Sequence, residues 1–448
     1  MSWLSTIWRM PDLRSRILFT LGMLAVFRLG VHIPAPGVDA SALKAFLDDP
    51  SGGSTMFGLY NMFSGGALQQ FSVCVLGIMP YITASIILQI LTVVFPPLER
   101  LSKEGQQGKG KIAQYTRYLT ILIALVQSLA LAYGFEQQRA PNNMPLVIEP
   151  TWAFRLTAMA TLTAGSCFVM WIGEQITERG IGNGSSLVIT AGIVAGLPSA
   201  VAYLFSDEGS GGVDLLRIVL IALGTAVVIG LIVWIERAQR RIPIQYAKRV
   251  VGRRVYGGQT AHLPLKVNTT GVIPPIFAST VLLLPATLQT FVSNDIVAGI
   301  TAALGPGKWL YNYAYVALII FIAYFYTALM FNPVDVADNL KKNNANIPGV
   351  RPGRQTAEYL DTILTRLTGA GAVYLAGLSI LPTIMATQLG LPFQFGGTGL
   401  LIVVGVSLDT VAQIEAQLLT RHYDGVSGPE GGARAGRRKA LGDGGSIG

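Results

Sequence analysis

Residues equipped for acid–base, nucleophilic or metal chemistry are few in this chain and scattered. His32, His262 and His422 are far apart and lack any metal-ligand spacing. Cys74 and Cys167 both fall inside apolar runs and read as small buried hydrophobes, with neither a disulfide framework nor a metal pattern. GQQGKGKI at 105–112 approximates a phosphate-binding loop, but Ile112 stands where Ser or Thr must meet magnesium, and no strand precedes it. GIGNG at 180–184 is a weak dinucleotide pattern in the wrong setting, and no H-E-x-x-H occurs. The chain is expected to be no enzyme and to hold no cofactor and no metal. Energy for its work must come from partners.

The other chemistry open to such a chain is ion coupling, which needs ionisable groups at membrane depth. Each costs about 3 kcal/mol or more there and is kept only for a purpose. Arg28 and Asp409 are the two candidates, so an ion-coupled secondary transporter stays open as the alternative, resting on them alone. That membrane depth is the right frame follows from composition. The 448 residues are 51% hydrophobic and 13% charged, with a mean hydropathy of +0.50. So much apolar surface reads as a multi-spanning membrane protein.

Ten apolar runs have the length needed to cross roughly 30 Å of hydrocarbon. They lie near 17–36, 74–97, 116–135, 152–173, 185–205, 214–235, 269–292, 310–331, 368–389 and 398–419. No short apolar region with a cleavage site follows MSWLSTIWRMPDLRSR, so the first span is expected to direct insertion itself. Of the 33 Lys and Arg, 27 fall on the side of the N-tail, the 98–117, 174–184, 236–268 and 332–367 loops and the C-tail, and 5 on the other. The positive-inside bias makes both termini cytoplasmic. The net charge of +9 then belongs to cytoplasmic loops and not to a nucleic-acid-binding domain.

Two stretches recur in register. GIMPYITASI at 77–86 and GVIPPIFAST at 271–280 share Gly77/Gly271, Pro80/Pro274, Ile82/Ile276, Ala84/Ala278 and Ser85/Ser279. They sit in the second and seventh spans, which cross in opposite directions, so the halves form an inverted repeat. GSSLVI at 184–189 and GTGLLI at 397–402 open the fifth and tenth spans with the same offset. A Pro inside spans two and seven is expected to free backbone groups, which is tolerable where helices line a cavity. Ile82, Ile276, Ile189 and Ile402 would then meet near the symmetry axis, either as a plain apolar core or as a hydrophobic constriction that excludes water and ions. A constriction without a binding site suits a long, variable substrate.

These residues carry a likeness. NMFSGGAL (61–68), GIMPYITASI, QYTRY (114–118), GEQITERGIGNG (173–184), GRRVYGGQTAHLPLKVN (252–268), FNPVDVADNLKK (331–342), PGVRPG (348–353) and FGGTGLLIVV (395–404) occur in order. From about residue 16 to about 420 the chain closely resembles the SecY family, the channel subunits of the bacterial Sec translocon. The resemblance implies an all-α membrane protein of ten transmembrane helices, in two inverted five-helix halves that form a clamshell around a central pore. Its parts would be a cytoplasmic N-tail (1–16), an N-terminal half (17–205, with the plug near 61–73) and a C-terminal half (206–420, with cytoplasmic loops 236–268 and 332–367). It implies a channel that passes unfolded secretory polypeptides across the bacterial plasma (inner) membrane and releases membrane segments sideways into lipid.

Residue by residue, the resemblance puts Ile78, Ile82, Ile189, Ile276 and Ile402 in the pore ring. Asn61, Met62, Phe63, Ser64, Gly65, Gly66, Ala67 and Leu68 become a short plug helix under it. Thr83, Gln89, Gln127, Asn268, Thr280 and Leu284 become members of a lateral gate between spans two and seven. VGRRVYGGQTAHLPL reads as a hairpin around Gly257–Gly258, with Arg253 and Arg254 near its tip. Arg351 lies between two Pro-Gly turns. Arginines presented so suit phosphate or carboxylate recognition, and by resemblance they dock the ribosome and the SecA ATPase. The implied partners are SecE and SecG, SecA, the ribosome, signal sequences and nascent polypeptides, membrane lipid, and SecDF and YidC. The Gly- and Arg-rich tail, 421–448, departs from the short tails of the family and is expected to be disordered.

Overall fold

The computed structural model describes residues 10–48, 61, 64–138, 144–205, 215–246, 249–251, 254–256, 260–291, 299, 303–304, 308–389 and 397–427. In the first part of the chain lie α1 (Pro11–Val31), α2 (Ala40–Asp48), a 3-10 turn (Ala67–Gln70), α3 (Met79–Val94), α4 (Pro96–Lys103), α5 (Gln106–Gln137), α6 (Trp152–Arg179) and α7 (Gly184–Phe205). Next come α8 (Leu215–Arg237), β1 (Gln239–Tyr246), β2 (Arg249–Val251), β3 (Arg254–Tyr256) and β4 (Thr260–Lys266). The last are α9 (Ile273–Phe291), α10 (Trp309–Met330), α11 (Pro333–Lys342), β5 (Ala345–Asn346), α12 (Arg354–Leu389) and α13 (Gly397–Ser427).

Each of the ten expected spans meets one helix: α1, α3, α5, α6, α7, α8, α9, α10, α12 and α13. By length and composition, five described helices can cross a membrane, or six with α3 and α4 taken as one bent pair. The 101° bend of that pair has a local cause. Pro96 excludes Phe95 from the helical region, and Phe95 is extended at φ −100, ψ 111.

The proline expectation needs correction. Pro80 and Pro274 are the second residues of α3 and α9, not interior ones. In the first turn the missing N–H has no intrahelical partner to lose, so these prolines start the helices and break nothing. Gly77 (φ 55) and Gly271 (φ 61) precede them in the left-handed region. The repeat is therefore a device of local structure: a left-handed glycine turns the chain and a proline launches the helix. Ile82 and Ile276 become the fourth residue of α3 and of α9. No atom would crowd a Cβ at Gly271, so Gly271→Ala is expected to cost only the left-handed penalty of about 1–2 kcal/mol, and Gly271→Asn less. Thermal unfolding of the purified complex measures both, and equal loss for the two would refute the conformational account.

Helices pack into two apolar cores. α5 lies on α3 and α6, and α6 on α1 and α7; they bury Phe27, Leu76, Phe135, Leu162 and Ile172 together. α10 lies on α9 and α12, and α13 on α8 and α12; Ile232, Leu282, Ile319, Leu375 and Leu401 form the second core. The halves meet where α7 packs on α13 and α5 on α9. Outward, Leu29, Leu223, Val227, Trp234 and Phe321 stay exposed, a liability in water but the natural surface against lipid. α13 runs to Ser427, so residues 421–427 of the expected tail are helical; 428–448 lie outside the described residues.

On the cytoplasmic side of the predicted topology, β1 pairs antiparallel with β4, and its end pairs with β5 from the following loop. The strand order is β4-β1-β5. Ile242, Leu265 and Ile347 of this sheet region pack on Leu360, Ile363 and Leu364 of α12. The hairpin expected around Gly257–Gly258 closes elsewhere. Val251 pairs with Arg254 at the end of β2 and β3, leaving a two-residue connection with Gly252 in it, the length tight hairpins favour. Gly257 and Gly258 lie outside the described residues.

Candidate functional site

The isoleucines that the repeats paired converge. Ile78, Ile189, Ile276 and Ile402 are 2%, 2%, 5% and 1% exposed and belong to one apolar cluster, with Ile82 packed against it. Two helices of each half supply or flank them: Ile78 caps α3, Ile82 lies in its first turns, Ile189 is on α7, Ile276 on α9 and Ile402 on α13. α13 turns one residue to each core, since Leu401 joins the second cluster and Ile402 the first. Val272 and Val403 pack on the same centre; sequence reading missed them, although Val403 directly follows a named isoleucine. Such a cluster of branched apolar side chains where the two halves meet offers no donor or acceptor of its own to hold water.

Beside it lies the segment expected to form the plug. Asn61 and Ser64 are helical, and the Gly66 N–H bonds back to the Asn61 carbonyl at 2.9 Å. With Gly65 left-handed at φ 71, this is a Schellman end, which uses glycine at its first non-helical position because any Cβ there is strained. Ala67 and Leu68 then enter the 3-10 turn, both fully buried in the same cluster as the isoleucines. Phe71 follows, edge-on to Phe135 of α5 at 5.4 Å. Met62 and Phe63 lie outside the described residues.

The expected gate residues behave differently. Thr83 donates to the Met79 carbonyl (3.0 Å) and Thr280 to that of Ile276 (2.9 Å), each four residues back on its own helix. A hydroxyl on a helix can satisfy itself this way and then needs no partner across a seam. Gln89 donates to Ser85 on its own helix at 3.4 Å. Asn268 is tied within its half, donating to Glu236 of α8 (2.6 Å) and to the Gly271 carbonyl (3.2 Å). Thr83, Thr280 and Asn268 thus form these side-chain hydrogen bonds within their own half. What remains is a pair of buried amide oxygens without partners, on Gln89 of α3 and Gln127 of α5. α5 is the N-half helix on which α9 packs. The side chain of Leu284 lies outside the described ones.

The two charges behind the transporter alternative have other occupations. Asp409 lies 3.4 Å from Lys266, and both side chains are mostly exposed, at 69% and 59%. A carboxylate so hydrated does not have the buried setting of a coupling site. Arg28 donates from Nη1 to the Gly65 carbonyl at 2.8 Å, in the plug segment. Among the described residues no group of three or more His, Cys, Asp or Glu is arranged to hold a metal.

The arginines of the two loops expected to be cytoplasmic lie on separate elements, Arg254 in the two-stranded β2–β3 sheet and Arg351 in the loop after β5. Arg351 is exposed and flanked by left-handed Gly349 (φ 82) and Gly353 (φ 105). Thr356 donates to the Arg351 carbonyl at 2.9 Å, and the Val350 N–H to that of Ile347 at 3.1 Å. Arg254 opens β3, while Arg253 lies outside the described residues. Because β5 is hydrogen-bonded to β1, the loop that carries Arg351 and the loop that carries Arg254 are joined by backbone hydrogen bonds.

Comparison with known proteins agrees with this arrangement. The family model described as SecY matches residues 72–411. The chain is 49% identical over 417 residues to the protein translocase subunit SecY of Escherichia coli (strain K12), covering 92% of this chain and 93% of that one. Among solved structures, one described as "The plug domain of the SecY protein stablizes the closed state of the translocation channel and maintains a membrane seal" superposes with a TM-score of 0.64 at 16% identity, over 95% of this chain and 99% of that one. Another, "Sec61 in the Canine ribosome-channel complex from the endoplasmic reticulum", gives 0.61 at 15% identity, over 95% and 99%.

Proposed function

The chain belongs to the SecY family and is the protein-conducting channel subunit of a Sec translocon, and from that premise we propose that the isoleucine cluster is its pore ring and the segment 61–68 its plug. The observation that carries this is the burial of Ala67, Leu68 and Phe71 in one cluster with Ile78, Ile189, Ile276 and Ile402. A plug of small and apolar residues seated on an apolar ring seals by excluding water. It needs no charge pair to be broken when a polypeptide arrives.

The lateral gate of this reading lies where α9 packs on α5, which in turn packs on α3. Gln89 and Gln127, with unpartnered oxygens, mark its polar centre. An interhelical hydrogen bond in a membrane is worth only about 0.6–2 kcal/mol, so such a seam parts when an apolar segment offers comparable energy. In this reading the multi-pass chain lies in the plasma membrane, as its similarity to bacterial SecY proteins supports, and its Lys and Arg distribution favours cytoplasmic termini. The two loops with Arg254 and Arg351 serve as the docking surface for the ribosome and the SecA motor. SecE and SecG complete the complex.

Reconstitution tests the function. Purified complex in vesicles should move an unfolded secretory chain only when SecA and ATP are supplied, and should show no saturable uptake of a small solute sensitive to Asp409→Asn. Motor-independent solute uptake would favour the transporter. For the docking loops, Arg351→Glu or Arg254→Glu is expected to cut SecA-driven transport at least tenfold, the loss of one charge-assisted contact of about 1.5–3 kcal/mol, while the complex stays folded. Normal transport in both would return these loops to topology alone.

A further inference from the structure

We propose that Arg28 is a latch that holds the plug segment closed through the carbonyl of Gly65. The inference rests on the plug reading above and deepens it. An arginine in an otherwise apolar span is kept for a purpose, and the hydrogen bond that Arg28 donates from Nη1 goes to Gly65 at 2.8 Å. Among the described residues it has no carboxylate partner. The acceptor is free because of the Schellman end: the helix stops at Ser64, so the Gly65 carbonyl has no helical donor four residues on. A carbonyl left outside the helix is a ready target for a guanidinium.

The turn is wedged. A Cβ on Gly65 would lie 2.8 Å from the Gly192 Cα of α7 and 2.9 Å from Arg28 Nη1, so backbone meets backbone on one side and the guanidinium closes the other. The far end of the segment is fastened in another way. The Ala35 N–H bonds to the Phe71 carbonyl (2.7 Å), the Val73 N–H to that of Ile33 (3.0 Å), and Ser72 Oγ donates to that of Gly30 (2.9 Å). Backbone bonds at 71–73 and a single side-chain donor at 65 make a hinge and a latch. Next to the latch is a cavity of about 140 Å³ lined by Arg28, His32, Asn61, Gln69 and Gln70. It is roomy and polar enough for water. Water there can take over the guanidinium donors when Gly65 leaves, so release strands no unsolvated charge.

The test uses the reconstituted complex with Cys74 and Cys167 changed to Ala and Leu68→Cys as reporter. Leu68 is fully buried, so labelling by a membrane-impermeant maleimide reports plug displacement; resting ion conductance is the second readout. Arg28→Met is expected to raise the displaced fraction roughly ten- to a hundredfold, as loss of a hydrogen bond from a charged donor implies. Arg28→Gln should be intermediate, and Arg28→Lys nearest the parent. A merely structural role would lower the melting temperature without that order of labelling. Gly65→Ala, whose Cβ would crowd the Gly192 backbone of α7 as well as Arg28 Nη1, displaces the turn whether or not Arg28 holds it and so tests the plug independently of the latch. If Gly65→Ala raises labelling and conductance while no Arg28 variant does, the latch is wrong and the plug stands. If none of the variants raises either, the plug reading itself fails. Should Arg28→Met not fold, the Gln and Lys variants carry the same comparison.

Discussion

Replacing Ile276 and Ile402 together by Ser is expected to turn a tight resting channel into one that leaks ions. Both are nearly fully buried, at 5% and 1% exposure, and they are the buried C-half isoleucines of a cluster in which Ile78 and Ile189 come from the N-half. Serine removes the branched side chains and supplies hydroxyls that hold water, so the constriction wets. Large-to-small changes at buried positions also cost about 2–5 kcal/mol each, so folding must be separated from sealing. The control is Ile276→Leu with Ile402→Leu, a volume-conserving pair expected to cost less than about 1.5 kcal/mol per site and to leave the resting channel tight. Planar-bilayer conductance of the purified complex reads the outcome. A Ser pair that folds and stays as tight as the Leu pair would show that the seal lies elsewhere.

A disulfide across the seam between the halves is the second large effect: it should stop polypeptide transport outright. The helix to bridge from is α5, since α9 packs on it. Gln127, with its buried unpartnered oxygen, lies on α5, and Phe277, Thr280 and Val281 are partly buried on α9. With Cys74 and Cys167 replaced, Gln127→Cys is combined in turn with Phe277→Cys, Thr280→Cys and Val281→Cys. A disulfide needs Cα atoms within about 7 Å, so the pair that oxidises locates the closed seam. Transport should fall to background in that pair, recover on reduction, and suffer much less from a long flexible cross-linker. Full oxidation with undiminished transport would remove parting of these helices from the mechanism.

Several expectations met different fates for reasons that can be named. The ten spans, and the pairing of Ile82 with Ile276 and of Ile189 with Ile402, were readable because length, hydropathy and an internal repeat are written along one dimension. The polar residues of the proposed gate were legible by type alone. The Thr83 and Thr280 hydroxyls each bond to their own helix, and Asn268 bonds to Glu236 within its half. Polar residue type announces that a bond is needed and says nothing of its direction. The turn of the β2–β3 hairpin was misjudged for a similar reason. A Gly-Gly pair marks permissive backbone, but register between the strands, with Val251 opposite Arg254, decides where the hairpin ends.

By itself the sequence determined what depends on one helix at a time: that each of ten apolar runs carries a helix, how the Lys and Arg distribute among the runs' flanks, and that Gly77 with Pro80 recurs in register as Gly271 with Pro274. These follow from hydropathy, charge and backbone sterics, which act within a few residues. Only the tertiary structure decided which apolar residues meet. Leu401 and Ile402 are neighbours in sequence and in type, yet one fills the C-half core and the other the cluster that also buries Ala67 and Leu68. The same holds for Arg28: its charge in an apolar span is visible in the sequence, but its acceptor lies 37 residues away. That carbonyl becomes available only because the helix before it ends at Gly65 and the turn is pressed onto Gly192. Contacts of that kind are set by how whole helices pack, and packing is settled by the summed fit of many side chains and not by any one of them.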